Sequence, residues 1–338
     1  MPHVKTPISL KKFLIDYFLF FATQNKKSRI IEYTTGIKFS EADFDIMTDA
    51  CKNSGCTINH YYRWRLRERL AIDILKQSDS VACINFIKNN THNIEEIEQA
   101  VIKADSGILL TTMHYGSFVP AIFALVSHIS KFRKICVIYD PPEVNAKNRD
   151  FDLIAKKMAT EFGDDFTPVH NNSRGLASVI RTLKTGGVAV IMTDVFHSIK
   201  NTYTIDFMGR FYRTLLGAAY IARRSNSAII PFLSKPIMED YKFKIIRSNH
   251  IKANEIYDQL KPIARRPDFY CDHNTISKIY KCYEEMIGND LIYWLYIFEH
   301  SCHPTTPKYY KEINTTQLDA IISKDPRINA AKIPEISI

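Results

Sequence analysis

Four short apolar runs rich in β-branched residues recur through the middle of the chain: 107–112 (GILLTT), 134–139 (KICVIY), 188–193 (VAVIMT) and 228–233 (AIIPFL). Helical patterns separate them, at 118–129, roughly 148–162, 173–184 and 214–224. Continuous apolar runs of this length suit strands buried on both faces, and strands that alternate with helices form parallel sheets covered by helices. The expected class is therefore α/β, a layered αβα sandwich around a mostly parallel mixed sheet. The stretch 242–247 (KFKIIR) alternates basic and apolar residues, as a half-exposed edge strand does.

The flanks read differently. Residues 1–100 form a helical N-terminal region expected to pack on the body. Ser40-Glu-Ala-Asp43 resembles a helix start, and the segment from Ile94 reads as another short helix. The segment Tyr61–Arg69 carries arginines at every second position, which a helix spreads around its surface. Residues 101–304 hold the α/β domain. Within it, 272–299 reads as a helix opening at Asp272 or Asn274, broken by Gly288-Asn289 and followed by an aromatic segment around Trp294. A polar C-terminal tail, 305–338, follows Pro304.

Composition narrows the class further. With 338 residues, 46% of them hydrophobic and 24% charged, the chain can build a sizeable core and is not a disordered one. Its net charge of +9 suits an acidic partner such as a carrier protein, RNA or an anionic membrane, or simply a basic solvated surface. Seven scattered cysteines without a CxxC pair give no zinc spacing and favour reduced thiols in a cytoplasmic setting. The apolar stretch Phe13–Ala22 contains Asp16 and is about half the roughly 20 residues a spanning helix needs. It reads as an amphipathic helix flanked by Lys11, Lys12, Lys26 and Lys27. Such a helix can pack on the core or make a peripheral membrane contact through residues 10–27, at the inner face.

Three groups of residues could carry chemistry. His114 ends the first strand-like run, at the sheet edge where open α/β folds place their sites. A neutral imidazole there can take a proton from an attacking hydroxyl or amine. The amides around Gly116 and Ser117 are candidates for oxyanion binding, with glycine permitting close approach of a substrate. Asp194 ends the 188–193 run and reaches the same edge if both strands are parallel, where it could orient the imidazole, bind the acceptor, or simply cap a turn. Arg210 and Arg213, with Thr214 as an N-cap for the following helix, could form an anion site for phosphate or phosphopantetheine, or be solvated loop arginines. No residue pattern calls for a metal or a cofactor.

Together these segments resemble the lipid A biosynthesis acyltransferases, the lauroyl and myristoyl transferase family with a glycerol-phosphate acyltransferase-like fold. The likeness covers about residues 60–300. His114-Tyr-Gly116-Ser117-Phe resembles the family's His-Phe-Gly-Asn-Trp-Glu. Tyr139-Asp140-Pro141 with Asn148 resembles its Tyr-Arg-Pro block and following Asn. Gly186-Gly187 through Asp194 resembles the strand ending in Pro-Asp, and Phe207-Met-Gly209-Arg210 through Thr214 resembles Phe-Phe-Gly-Arg-Pro and Thr-Gly. Tyr293-Trp294 is similar to the family's Gln-Trp-Leu-Trp ending. Two departures stand out: Val119 occupies the position of the family's Asp or Glu after His-X4, and Asp140 replaces the arginine of Tyr-Arg-Pro.

The resemblance implies acyl transfer without a metal or cofactor. His114 would be the base, Asp194 or Asp140 would replace the lost carboxylate, and Gly116, Ser117, Tyr139, Asn148, Arg210, Arg213 and Thr214 would bind substrate. The donor would be an acyl or aminoacyl group on a carrier protein, coenzyme A or tRNA. The acceptor would be an amine, hydroxylamine or hydroxyl of a small molecule, since a weakened base suits a soft nucleophile, and tailoring of a specialised metabolite is a natural role. Two alternatives remain: a peripheral-membrane lipid or glycolipid acyltransferase, and a non-catalytic homologue that binds an acyl chain or a carrier protein.

Overall fold

The computed structural model describes residues 41–195, 202–237, 241–261 and 266–298. The stretch 10–27, Ser40 and the tail beyond Pro304 lie outside the described residues.

Among the described residues, four helices come first: α1 (Glu41–Asn53), α2 (Ile58–Gln77), α3 (Ser80–Asn90) and, after the two-residue strand β1 (Thr91–His92), α4 (Glu95–Lys103). The chain then alternates through β2 (Ile108–Thr112), α5 (Phe118–Ile129), β3 (Ile135–Tyr139), α6 (Arg149–Phe162), β4 (Phe166–His170), α7 (Ser173–Lys184) and β5 (Val188–Met192). A hairpin of β6 (Tyr203–Phe207) and β7 (Arg210–Thr214) follows, then α8 (Gly217–Ser225), β8 (Ala228–Pro236), β9 (Phe243–Arg247), β10 (Ile251–Lys252), the one-turn α9 (Tyr257–Leu260) and the long α10 (Pro267–Ile287).

The large sheet has the order β1-β9-β8-β2-β5-β3-β4, with β10 also paired to β8. β8, β2, β5, β3 and β4 are mutually parallel, while β9 and β10 run antiparallel to β8. The sheet is thus mixed and mostly parallel. β5, after β4 in the chain, inserts between β2 and β3.

Alternation along each strand divides the core in two. Ile108 and Leu110 of β2, Val188 and Val190 of β5, and Val137 of β3 pack with apolar residues of α3, α4, α5 and α6. Leu109, Ala189 and Ile138 face the other way, against α7, α8, α10 and the aromatic segment around Trp294. Helices therefore cover both faces, and the helix before β5 lies on the opposite face from those before β3 and β4. That reversal puts the carboxyl ends of β2 and β5 at a switch point, where such folds leave a crevice.

Several boundaries differ from the sequence expectation. β4 was not legible: its FTPVH segment contains Pro168 and lacks a continuous apolar run, yet it pairs with β3 over five residues. The stretch 203–214 is not a loop but a hairpin, turned by Met208-Gly209 at φ +52° and +73°. α10 opens at Pro267, ahead of the expected Asp272 or Asn274, because proline suits the first helical turn. Asp272 is inside the helix, paired with Arg223 of α8 at 2.8 and 3.0 Å. The helical N-terminal region also contributes β1 to the sheet edge, where it pairs with β9.

Candidate active site

His114 follows β2, and its turn is fixed on every side. The His114 carbonyl accepts from the Leu295 amide at 3.0 Å, and the Tyr115, Gly116 and Ser117 amides donate to the carbonyls of Met113, Tyr293 and Ser234 at 2.7, 2.8 and 3.2 Å. Those amides are thereby committed to backbone partners, so the expected oxyanion role for the amides around Gly116 does not fit this turn. Gly116 has φ +58°, and a Cβ there would stand 1.8 Å from the Ser234 carbonyl oxygen. Glycine is required here by the approach of β8, rather than by that of a substrate.

The imidazole of His114 lies against the rings of Phe118 and Tyr296, with centroids 4.9 and 5.1 Å away. Its Nδ1–H donates to Asp194 Oδ1 at 2.8 Å, and its backbone N–H donates to Asp194 Oδ2 at 2.8 Å. The indole N–H of Trp294 adds a third donor to Oδ2, also at 2.8 Å. The Asp194 side chain is fully buried. A buried carboxylate is tolerable only with such donors, and as a pure acceptor it fixes the proton on Nδ1, leaving the Nε2 lone pair free to act as a base.

The backbone of Asp194 is held equally firmly. The Thr193 amide donates to the Thr112 carbonyl at 2.9 Å, tying the end of β5 to β2. The Thr193 carbonyl accepts from Tyr280 Oη of α10 at 2.9 Å and from Thr214 Oγ1 at 3.3 Å. Burial beside Asp194 raises the Tyr280 and Tyr283 phenols above their ordinary values, so both stay neutral.

The other sequence candidates take different places. Asp140 follows β3, two strands from β2, and accepts from Asn171 Nδ2 at 2.9 Å. It is therefore Asp194 that meets the imidazole. Asn148 Nδ2 donates to the Asp140 carbonyl at 2.8 Å and fastens the loop before α6. Tyr139 is buried, and its hydroxyl donates to Asp152 Oδ1 at 2.9 Å. Ser117 directly precedes α5, and its hydroxyl donates to Glu68. Thr214 does not cap a helix: it ends β7, and α8 starts only at Gly217. Its hydroxyl instead reaches into the Thr193–Tyr280 network. Arg210 and Arg213 do not cluster. They sit three residues apart on β7, opposite Phe207 and Thr204, and strand alternation points them to opposite faces.

Val119 is buried in the apolar cluster between α5 and the sheet, on the face away from Trp294. Two residues that sequence reasoning passed over hold the site. In the sequence Trp294 stands only in an aromatic segment similar to the family's ending, with no sign of its carboxylate partner. Glu68 of α2 touches Ser117, and burial pushes its carboxyl up to about 8, partly offset by the Ser117 hydroxyl and by Arg65. A signal for it was available: Glu68 is the single acid among the arginines of 63–69, one helical turn past the buried Trp64.

Among the described residues, no group of three or more His, Cys, Asp or Glu is arranged to hold a metal ion, and no helix is long and apolar enough to cross a membrane. The six described cysteines are free thiols. A search of curated proteins finds no match. The model of bacterial lipid A biosynthesis acyltransferases matches residues 62–271, a span that opens in α2, contains both His114 and Asp194 and closes in α10. With the paired imidazole and carboxylate at the switch point of a sheet of this topology, the chain belongs to the bacterial lipid A biosynthesis acyltransferase family.

Proposed function

We propose that the protein transfers an acyl group from a carrier-protein thioester to an acceptor hydroxyl or amine, with His114 as the base and Asp194 as its support. The observation that carries this reading is the 2.8 Å hydrogen bond from His114 Nδ1–H to the buried Asp194 carboxylate. An imidazole held in this tautomer presents Nε2 to an incoming nucleophile, and the carboxylate stabilises the imidazolium that forms.

The acceptor oxygen or nitrogen attacks the thioester carbonyl while Nε2 takes its proton. The tetrahedral intermediate then collapses, the C–S bond breaks, and the thiolate leaves with the proton returned by the imidazolium. The products are an ester or amide and the free thiol of the carrier. Positioned proton transfer of this kind contributes typically ~10²–10⁴-fold to rate.

The net charge of +9 favours an acidic carrier protein as donor. Val119 at the motif position suggested a weak base and a soft nucleophile such as a hydroxylamine. With Asp194 on the imidazole that argument loses its force, and a sugar hydroxyl is as suitable as an amine. The family description, lipid A biosynthesis, favours the hydroxyl of a glycolipid.

The test uses the purified full chain with acyl carrier-protein thioesters of graded length and, in parallel, aminoacyl-tRNA. Release of the carrier thiol is followed with and without a glycolipid or amine acceptor. Thiol release from the carrier protein that His114→Ala abolishes is the expected result. Full turnover in His114→Ala, or transfer from aminoacyl-tRNA alone, overturns the reading.

A further inference from the structure

Beyond the matched residues 62–271, the chain leaves α10 at Gly288 and crosses back over the His114 turn. Three hydrogen bonds fasten this crossing. Tyr115 Oη donates to the Asp290 carbonyl at 3.0 Å, the Gly116 amide donates to Tyr293 O at 2.8 Å, and the Leu295 amide donates to His114 O at 3.0 Å. The two backbone bonds make Tyr115 and Trp294 an isolated antiparallel bridge.

Trp294 sits at the centre of this crossing and is fully buried. Its ring packs edge-on against Phe207 at 5.2 Å and against Tyr212 at 5.6 Å, both from the β6–β7 hairpin. That packing leaves the indole little rotational freedom and aims Nε1–H at Asp194 Oδ2. The same carboxylate oxygen accepts the His114 amide, while Oδ1 faces the imidazole.

We infer that Trp294 is a positioning residue for the His114–Asp194 pair: its indole N–H holds Oδ2 so that Oδ1 stays aligned on Nδ1. This rests on the reading of that pair as the working base. The indole withdraws negative charge from the carboxylate and so tempers the basicity it lends to the imidazole. Among the described residues, titratable groups packed near Asp194 include the phenols of Tyr280 and Tyr283 on α10, both raised by burial and neutral, and Tyr212 of β7, whose hydroxyl reaches the Asp194 carbonyl at 3.5 Å.

The first readout needs no substrate. The chain has two tryptophans, so a sample labelled with ¹⁵N-tryptophan gives two indole signals, and Trp64→Phe assigns them. In the wild-type chain the Trp294 indole proton is expected to shift with the same midpoint as the His114 ring proton. In Trp294→Phe, which keeps an aromatic ring but no donor, the His114 midpoint should rise by roughly half to one unit. Turnover should fall by about tenfold with KM unchanged. A Trp294 indole signal that stays flat through the His114 titration overturns the inference, as does an unchanged His114 midpoint in folded Trp294→Phe. If that variant does not fold, the wild-type titration decides alone. The two readings fail separately: full turnover in His114→Ala removes the base, while an insensitive indole beside an essential His114 removes only the role of Trp294.

Discussion

Two carboxylates stand near the carboxyl edge of the sheet, each beside a histidine, and their surroundings differ sharply. Asp194 is sealed: its side chain has no exposure, it accepts from one backbone amide, one indole and one imidazole, and His114 lies 2.8 Å away with 14% exposure. Asp152 of α6 is shared. Lys156 reaches it at 2.7 Å and Tyr139 at 2.9 Å, while His170 stands 3.7 Å away with 40% exposure. The lysine neutralises the Asp152 charge, so little of it is left for His170, and water reaches that imidazole. A carboxylate orients and charges a histidine when its remaining lone pairs are held by neutral donors and solvent is excluded. By that measure the β2–β5 end of the edge is suited to acyl-transfer chemistry, and the β3–β4 end to fastening a loop.

The comparison breaks first at His114 and Asp194. Either His114→Ala or Asp194→Asn is expected to cut turnover by about 10²–10⁴-fold in the thiol-release assay, while circular dichroism shows a retained fold. Asp152→Asn in the same assay should change turnover by less than about threefold, since its partners Tyr139, Lys156 and His170 lie at the β3–β4 end rather than at His114. An equal loss in the two aspartate variants would erase the distinction between the two ends.

Gly116→Ala tests the rigidity of the turn. The added Cβ meets the Ser234 carbonyl oxygen in a backbone of positive φ, so a loss of roughly 2–4 kcal/mol in urea unfolding is expected. A neutral outcome would show that the turn is softer than its contacts imply.

Glu68→Gln probes the buried carboxyl that accepts from Ser117. Burial raises the Glu68 carboxyl from its ordinary value to about 8, so the folded state binds its proton more tightly than the unfolded chain does. The charged form therefore costs stability, and that cost grows between about pH 4.5 and 8 and is complete above it. Glutamine avoids it, so the variant should be more stable than wild type by on the order of 1–3 kcal/mol above pH 8, with the advantage fading toward pH 4.5. Unfolding curves at both ends of that range check it.

The smallest effect concerns Asp152. Its carboxyl is held below the usual value by Lys156 and Tyr139 against the opposing pull of burial. A lowered carboxyl contributes stability that is present above its ordinary value and lost as pH falls through the lowered one. Asp152→Asn should thus be less stable than wild type by about 1 kcal/mol at pH 7, and equal to it in strong acid.

Much of this fold is legible in the sequence because hydrophobic periodicity is local. The helix expected at 118–129 is Phe118–Ile129, that at 173–184 is Ser173–Lys184, and the four apolar runs become β2, β3, β5 and β8 within a residue at their starts. The hairpin was hidden because Arg210 and Arg213 interrupt its apolar pattern, and β4 because Pro168 sits in its middle. Thr214 misled as a helix cap since a threonine before an apolar run looks the same at a strand end.

Within the site, the sequence determined the histidine at a strand end, the glycine in its turn and the valine where a carboxylate was expected. Two aspartates remained as candidate partners, because strand order is not written in any local pattern. Only the tertiary structure decided between them. By threading β5 between β2 and β3 it put Asp194 one strand from His114 and Asp140 two strands away. It also brought Trp294 across 100 residues to the same carboxylate. The reason is physical: periodicity reports which face of an element is buried, but the partner of a buried charge is chosen by long-range strand pairing and packing.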